Sequence, residues 1–232
     1  MMAATIHLFD IDGTLLDGDG AGRRAMELAF AAEFGDDACT ALRALRFAGM
    51  TDPAIVRAGL RGAGRDPSDD DRAIAAVLAR YLELLPQTIA QAARFRAHVG
   101  VHACLDALAG RAELAVGLGT GNLERGAALK LAPLGLGDRF AFGGYGSDAE
   151  DRAALVAIGA ERGAAALGRS RQACRVVVIG DTPKDVAAAA AVGAQSLAVA
   201  TSFHGVDELA AAGATLAVRD LTDPAALRFL LG

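Results

Sequence analysis

Short apolar runs that close on glycine or a polar residue alternate along this 232-residue chain with longer stretches of helical periodicity. The runs predict strands over 5–9, 113–118, 140–143, 175–179 and 196–200. Helical patterns fall over 123–132, 149–167 and 184–192, so each connection from the second strand onward reads as a right-handed β-α-β crossover. That alternation predicts an α/β fold, a parallel sheet flanked by helices on both faces.

The first connection breaks the rhythm. More than ninety residues separate the first strand from a helix over 103–108, far more than a crossover needs, so about eighty of them are expected to form a domain of their own. It reads as all-helical, with helices over 21–34, 53–62 and 68–85 and a shorter one after Pro86. The sheet core then takes 1–16 and 98–232, and 17–97 forms the insertion. The acidic run Ser68-Asp69-Asp70-Asp71 suits the first turn of a helix and is assigned a structural role. Asp17 and Asp19, interleaved with Gly18 and Gly20, are expected at a hinge into the insertion.

Composition narrows the function. With 53% hydrophobic residues, 22% charged and a net charge of −5, the chain is a globular protein without the basic footprint of a nucleic-acid or membrane-surface binder. A small-molecule partner is favoured, and both monomer and homodimer stay open. Cys39, Cys104 and Cys174 form no CxxC pair and are read as reduced, mostly buried thiols. The N-terminus reaches its first strand by Ile6 with no leader pattern, and no apolar stretch is long enough to span a bilayer, so the expected location is the cytoplasm.

Ligands of parallel sheets bind beyond the carboxyl ends of the strands, and the residues there are unusual. The first strand ends in Asp10-Ile11-Asp12-Gly13-Thr14, the second in Thr120-Gly121-Asn122, and the fourth in Gly180-Asp181-Thr182-Pro183-Lys184-Asp185. If the first and fourth strands are neighbours, Asp10, Asp12, Asp181 and Asp185 converge. Such a cluster repels itself unless a cation neutralises it, and an all-oxygen set suits Mg²⁺ completed by a substrate phosphate. Asp10 can then attack phosphorus, while Asp12 protonates the leaving alkoxide, activates water and offers its carbonyl to the metal. Thr120 with the N–H groups of Gly121 and Asn122 fits phosphate oxygens at a helix start.

These three segments together resemble the haloacid dehalogenase superfamily, in its phosphoglycolate-phosphatase-like branch. The resemblance implies a Rossmann-like core with a helical cap inserted after the first motif. It also implies a magnesium-dependent phosphatase of small phosphorylated metabolites, with Asp10 as nucleophile, Asp12 as acid/base, Thr120 on phosphate, Asp181 on the metal and Asp185 linked to it. The family places a lysine between the third and fourth strands, but the only lysines here are Lys130 and Lys184. Arg152 is the candidate replacement, with Lys184 second. Gly49-Met50-Thr51-Asp52-Pro53 resembles the cap loop that faces the active site, where Thr51 is a candidate substrate contact and equally a helix cap. Arg23, Arg24 and Arg46 are weaker candidates for a substrate carboxylate, and the four histidines are assigned no metal.

Asp12 argues against carbon–halogen cleavage, which needs no acid for an alcohol leaving group. The absence of lysine from residues 1–129 argues against the family's Schiff-base phosphonate chemistry. A phosphosugar mutase and a phosphorylatable receiver module stay as alternatives.

Overall fold

A computed structural model describes residues 4–65 and 71–232 of the chain. The chain begins with β1 (Thr5–Phe9) and β2 (Leu16–Asp17), then runs through α1 (Ala21–Phe34), α2 (Asp36–Arg43), α3 (Asp52–Gly62) and α4 (Asp71–Ala90). It returns through β3 (Arg96–Ala97), α5 (Val101–Leu108), β4 (Leu114–Thr120), α6 (Glu124–Leu131) and β5 (Gly143–Tyr145). The remainder is α7 (Arg152–Ala166), β6 (Arg175–Gly180), α8 (Pro183–Ala191), β7 (Gln195–Val199), α9 (Val206–Ala211), β8 (Leu216–Val218) and α10 (Pro224–Leu231).

Six strands form a parallel sheet in the order β5-β4-β1-β6-β7-β8. Strand β1 is therefore central, flanked by β4 and β6, and all five of its residues are buried. Successive side chains point to opposite faces. Phe9 joins the layer with Val101, Leu105 and Leu131, whereas Ile6 and Leu8 join Leu155, Val156 and Ala160 of α7 on the other side. This is the α/β architecture the alternation predicted.

Strands β2 and β3 pair antiparallel, Leu16 with Ala97 and Asp17 with Arg96, where the chain leaves and re-enters the sheet domain. Asp19 beside them adopts φ 46° and accepts hydrogen bonds from the N–H groups of Ala93 and Arg94. Between these strands, α1 to α4 enclose a separate apolar cluster that includes Met26, Phe30, Leu42, Val56, Val77 and Tyr81.

Several elements differ from the sequence expectation. Helix α4 runs unbroken through Pro86, because Leu85 and Ile89 on either side continue the buried stripe of Ile74, Val77 and Tyr81. It begins at Asp71, and Ser68, Asp69 and Asp70 of the acidic run lie outside the described residues. Contrary to expectation, α4 is long and apolar enough by length and composition to cross a membrane. Its stripe packs in the helical cluster instead, and Arg80 and Glu83 form an ion pair on its exposed side. Helix α2 was not foreseen. Strand β5 lies three residues later than the pattern placed it: a Cβ on Gly144 would sit 1.9 Å from the carbonyl oxygen of Leu155, so glycines that resemble a strand end are what let the strand touch α7. All three cysteines are buried and free.

Candidate active site

The pairing of β1 with β6, Phe9 opposite Ile179, sets Asp10 beside the loop that begins at Asp181. The backbone then turns at Gly13, at φ 83°. A side chain there would be strained, and its Cβ would lie 2.3 Å from Asp181 Oδ2. The next residue, Thr14, donates its hydroxyl to Asp181 Oδ1 at 3.0 Å, and Ser202 from the loop after β7 donates to Oδ2. Asp185 sits in the first turn of α8, in a reciprocal cap with Thr182. Its Oδ2 accepts from the Thr182 N–H at 3.0 Å and hydroxyl at 2.7 Å, which leaves Oδ1 turned to the site.

Asp10, Asp181 and Asp185 thus bring one carboxylate oxygen each within 4.8 Å of one another, all buried. Arg152, the first residue of α7, reaches into this group. Its Nη2 lies 2.7 Å from Asp10 Oδ2 and 2.5 Å from Asp185 Oδ1, and its Nε donates to the same Oδ1 at 2.8 Å. Asp151 caps the helix by accepting the Ala154 N–H, which orients Arg152 inward. The acids nearest Arg152 in sequence have other partners, Asp148 with Arg162 and Glu150 with Arg57.

Burial raises the Asp10 carboxyl above its ordinary range, with Arg152 pulling against it. At Asp181 burial and the neighbouring Asp185 and Asp10 push the same way. Three carboxylates against one guanidinium leave two negative charges uncompensated in a dry site. Their hard oxygen donors and mutual proximity fit a divalent cation, so Asp10, Asp181 and Asp185 are the residues that would hold one.

Asp12 occupies different surroundings. Its side chain is 48% exposed, and its Oδ2 accepts from Lys130 Nζ at 2.6 Å and from Asn122 Nδ2 at 2.9 Å. Dehydration raises its carboxyl, but Lys130 and the two hydrogen bonds outweigh that and hold it below the ordinary range. The carboxylate of Asp12 is not among the three clustered ones. Thr120 is fully buried at the end of β4, where its hydroxyl faces the Asp10 carboxylate and accepts from the Asn122 amide at 2.9 Å. The helix begins only at Glu124, so Thr120 is a strand-end residue and not a helix cap.

The helical segment closes over these loops. The Asp52 N–H donates to the carbonyl of Gly121 at 2.8 Å, and the Leu123 N–H donates back to Asp52 Oδ2 at 2.9 Å. A Cβ on Gly121 would meet the carbonyl oxygen of Met50 at 2.4 Å. The buried Thr51 caps α3 and gives its hydroxyl proton to the Glu150 carbonyl, which ties α3 to the loop before α7. Lys184 is exposed and donates to the carbonyl of Ala48 at 3.3 Å; Arg152 is the cation bonded to Asp10. Arg23 is tied to the carbonyls of Arg43 and Leu45, Arg24 to that of Asp19, and Arg46 is exposed.

Sequence reasoning missed Lys130, Thr14, Ser202 and Asp52. Thr14 and Asp52 stood inside quoted motifs without a role, and Lys130 left a trace as one of two lysines among 23 basic residues on an otherwise apolar helical face.

Residues 6–193 match the family model of the haloacid dehalogenase-like hydrolases. No curated protein matches the chain in sequence. Among solved structures, a hydrolase from Pseudomonas syringae superposes with a TM-score of 0.71 at 22% identity, covering 96% of this chain and 95% of that one. CbbY from Rhodobacter sphaeroides, solved in complex with phosphate, gives a TM-score of 0.71 at 18% identity, covering 98% and 100%. A β-phosphoglucomutase from Clostridium difficile gives 0.66 at 17% identity, covering 97% and 93%. At these identities the likeness establishes the fold.

Proposed function

The chain belongs to the haloacid dehalogenase-like hydrolases, and from that premise we propose that it hydrolyses phosphate monoesters of small metabolites with Mg²⁺ as cofactor. One observation carries the reading: Asp10 and Asp12, two residues apart, lie in opposite environments, as two carboxylates with different tasks require. Asp10 is buried against Arg152 and Thr120. Asp12 is open to solvent and gripped on one oxygen only.

In the first step an Asp10 oxygen attacks phosphorus, the ester P–O bond breaks, and Asp12, in the fraction of molecules where its carboxyl carries a proton, delivers that proton to the departing alkoxide. In the second, Asp12 takes a proton from water, the hydroxide attacks the aspartyl phosphate, and phosphate leaves Asp10 free. Arg152 offers its charge to the transferring phosphoryl group, the role the family gives to lysine. Thr120 and the N–H groups of Gly121 and Asn122 receive phosphate oxygens, and Lys184 stands at the rim. Asp10, Asp181, Asp185 and the Asp12 carbonyl would hold Mg²⁺, which would supply charge neutralisation at the phosphate. Residues 17–97 act as the cap and set substrate choice, with Thr51 in the loop nearest the core motifs. CbbY, solved with phosphate, supports a phosphorylated ligand for this fold.

The likeness to a β-phosphoglucomutase keeps a mutase as the second reading. Phosphate release from a panel of phosphorylated metabolites, with Mg²⁺ and with chelator, tests the proposal. Metal-dependent multiple turnover is expected, whereas interconversion of sugar phosphates without net phosphate release would favour the mutase.

A further inference from the structure

The ammonium of Lys130 is almost wholly enclosed, with 5% of the side chain exposed, under the junction of the two domains. Lys130 lies in the last turn of α6, and its side chain leans back along the helix to the loop that follows β4. An ammonium has three N–H donors, and two of them have acceptors in the core. One goes to Asp12 Oδ2 at 2.6 Å and one to Asn122 Oδ1 at 2.6 Å. The hydroxyl of Tyr81, from α4 on the helical side, faces the same ammonium. Gly22 of α1 leaves room for this contact, since a Cβ there would lie 3.1 Å from Nζ.

We propose that Lys130 is a positioning residue for Asp12, fixing that carboxylate at the cleft from beneath and tying its place to the cap through Tyr81. The hydrogen-bond pattern makes the case. Both donors that reach Asp12, Lys130 Nζ and Asn122 Nδ2, use Oδ2. Among the described residues no donor reaches Oδ1, so that oxygen stays free for a leaving group or a water. Asn122 is itself held by Lys130 and by Thr120, so the grip on Asp12 is shared with the residue that faces Asp10. A lysine that merely filled space would need neither the open carboxylate nor a hydroxyl from the other domain. Lys130 thus meets Asp12 on one side and the hydroxyl of Tyr81 on the other, which links the acid/base to a seated cap.

This inference rests on the acid/base role proposed for Asp12, and the test separates the two. kcat/KM is measured with Mg²⁺ on a series of substituted phenyl phosphates, from dinitrophenyl phosphate, whose leaving group needs no proton, to phenyl phosphate, whose leaving group does. Lys130→Met is expected to lose about 100-fold on phenyl phosphate and less than about 3-fold on dinitrophenyl phosphate, within the range general acids supply. Tyr81→Phe is expected to shift the series the same way by roughly 5-fold at the phenyl end. If Lys130→Met does not fold, the Tyr81→Phe profile decides alone. A loss uniform across the series, or none, overturns the positioning role while leaving phosphatase activity intact. Wild-type protein that hydrolyses none of the esters overturns the parent reading and this one with it.

Discussion

Arg152 joins Asp10 to Asp185: one guanidinium, 2.7 Å from the carboxylate after β1 and 2.5 Å from that in the first turn of α8, is shared between the two. Removing it leaves buried carboxylates without their protein counter-charge. Arg152→Met should lower kcat at least about 100-fold, the scale for loss of one preorganised donor to transition-state charge. Arg152→Lys keeps the charge but not the fork and should recover part of the loss. Steady-state rates on any active phosphate ester check this, and a wild-type rate for Arg152→Met would remove Arg152 from the site.

The same cluster predicts a stability response to metal. Asp10, Asp181 and Asp185 repel one another in the folded protein, so a cation that binds only the folded state stabilises it. At 100 times its dissociation constant Mg²⁺ should add about 2.7 kcal/mol, a rise in Tm of roughly 5–10 °C for a chain of this size. Asp181→Asn should weaken that response and raise the stability of the metal-free protein. Thermal melts with and without Mg²⁺ decide, and an unchanged Tm in the wild type would count against a metal at these residues.

Far from the site, His7 predicts a dependence on pH. It is fully buried on β1, with Nε2 3.0 Å from the carbonyl oxygen of Leu230 and Nδ1 unpartnered. Burial pushes its imidazole down to about 4, against the weaker pull of that carbonyl. The folded protein therefore resists protonation that the unfolded chain accepts near pH 6.5, so stability falls as pH drops from 6.5 towards 4. The full effect is about 3 kcal/mol. Urea denaturation at pH 7 and pH 5 should show a smaller difference for His7→Gln than for wild type; equal differences would contradict the assignment.

The sheet and the helical insertion were legible because each rests on a repeating pattern. Buried strands show as apolar runs, and an insertion of about eighty residues after the first strand admits few explanations. Asp10, Asp181 and Asp185 were legible because strand ends carry ligands whatever the loops between them. Arg152 could be named from what was missing, a lysine, and its position at a helix start after the third strand. Lys130 was not legible, since its meaning depends on Tyr81 and Asp12, 49 and 118 positions away. No local period reports such a meeting. Strand β5 and the Pro86 turn were misread for a related reason: close packing on α7 and the buried stripe of α4 overrode the local signals of glycine and proline.

The central claim, nucleophilic attack by Asp10, is tested most directly by Asp10→Asn. The substitution keeps the size of the side chain and removes the attacking oxygen's charge. With Mg²⁺ present and folding verified by an unchanged circular-dichroism spectrum, turnover of the best phosphate ester should fall at least about 1,000-fold, with no phosphoryl group found on the protein by mass spectrometry. Asp10→Asn with wild-type turnover would contradict the account.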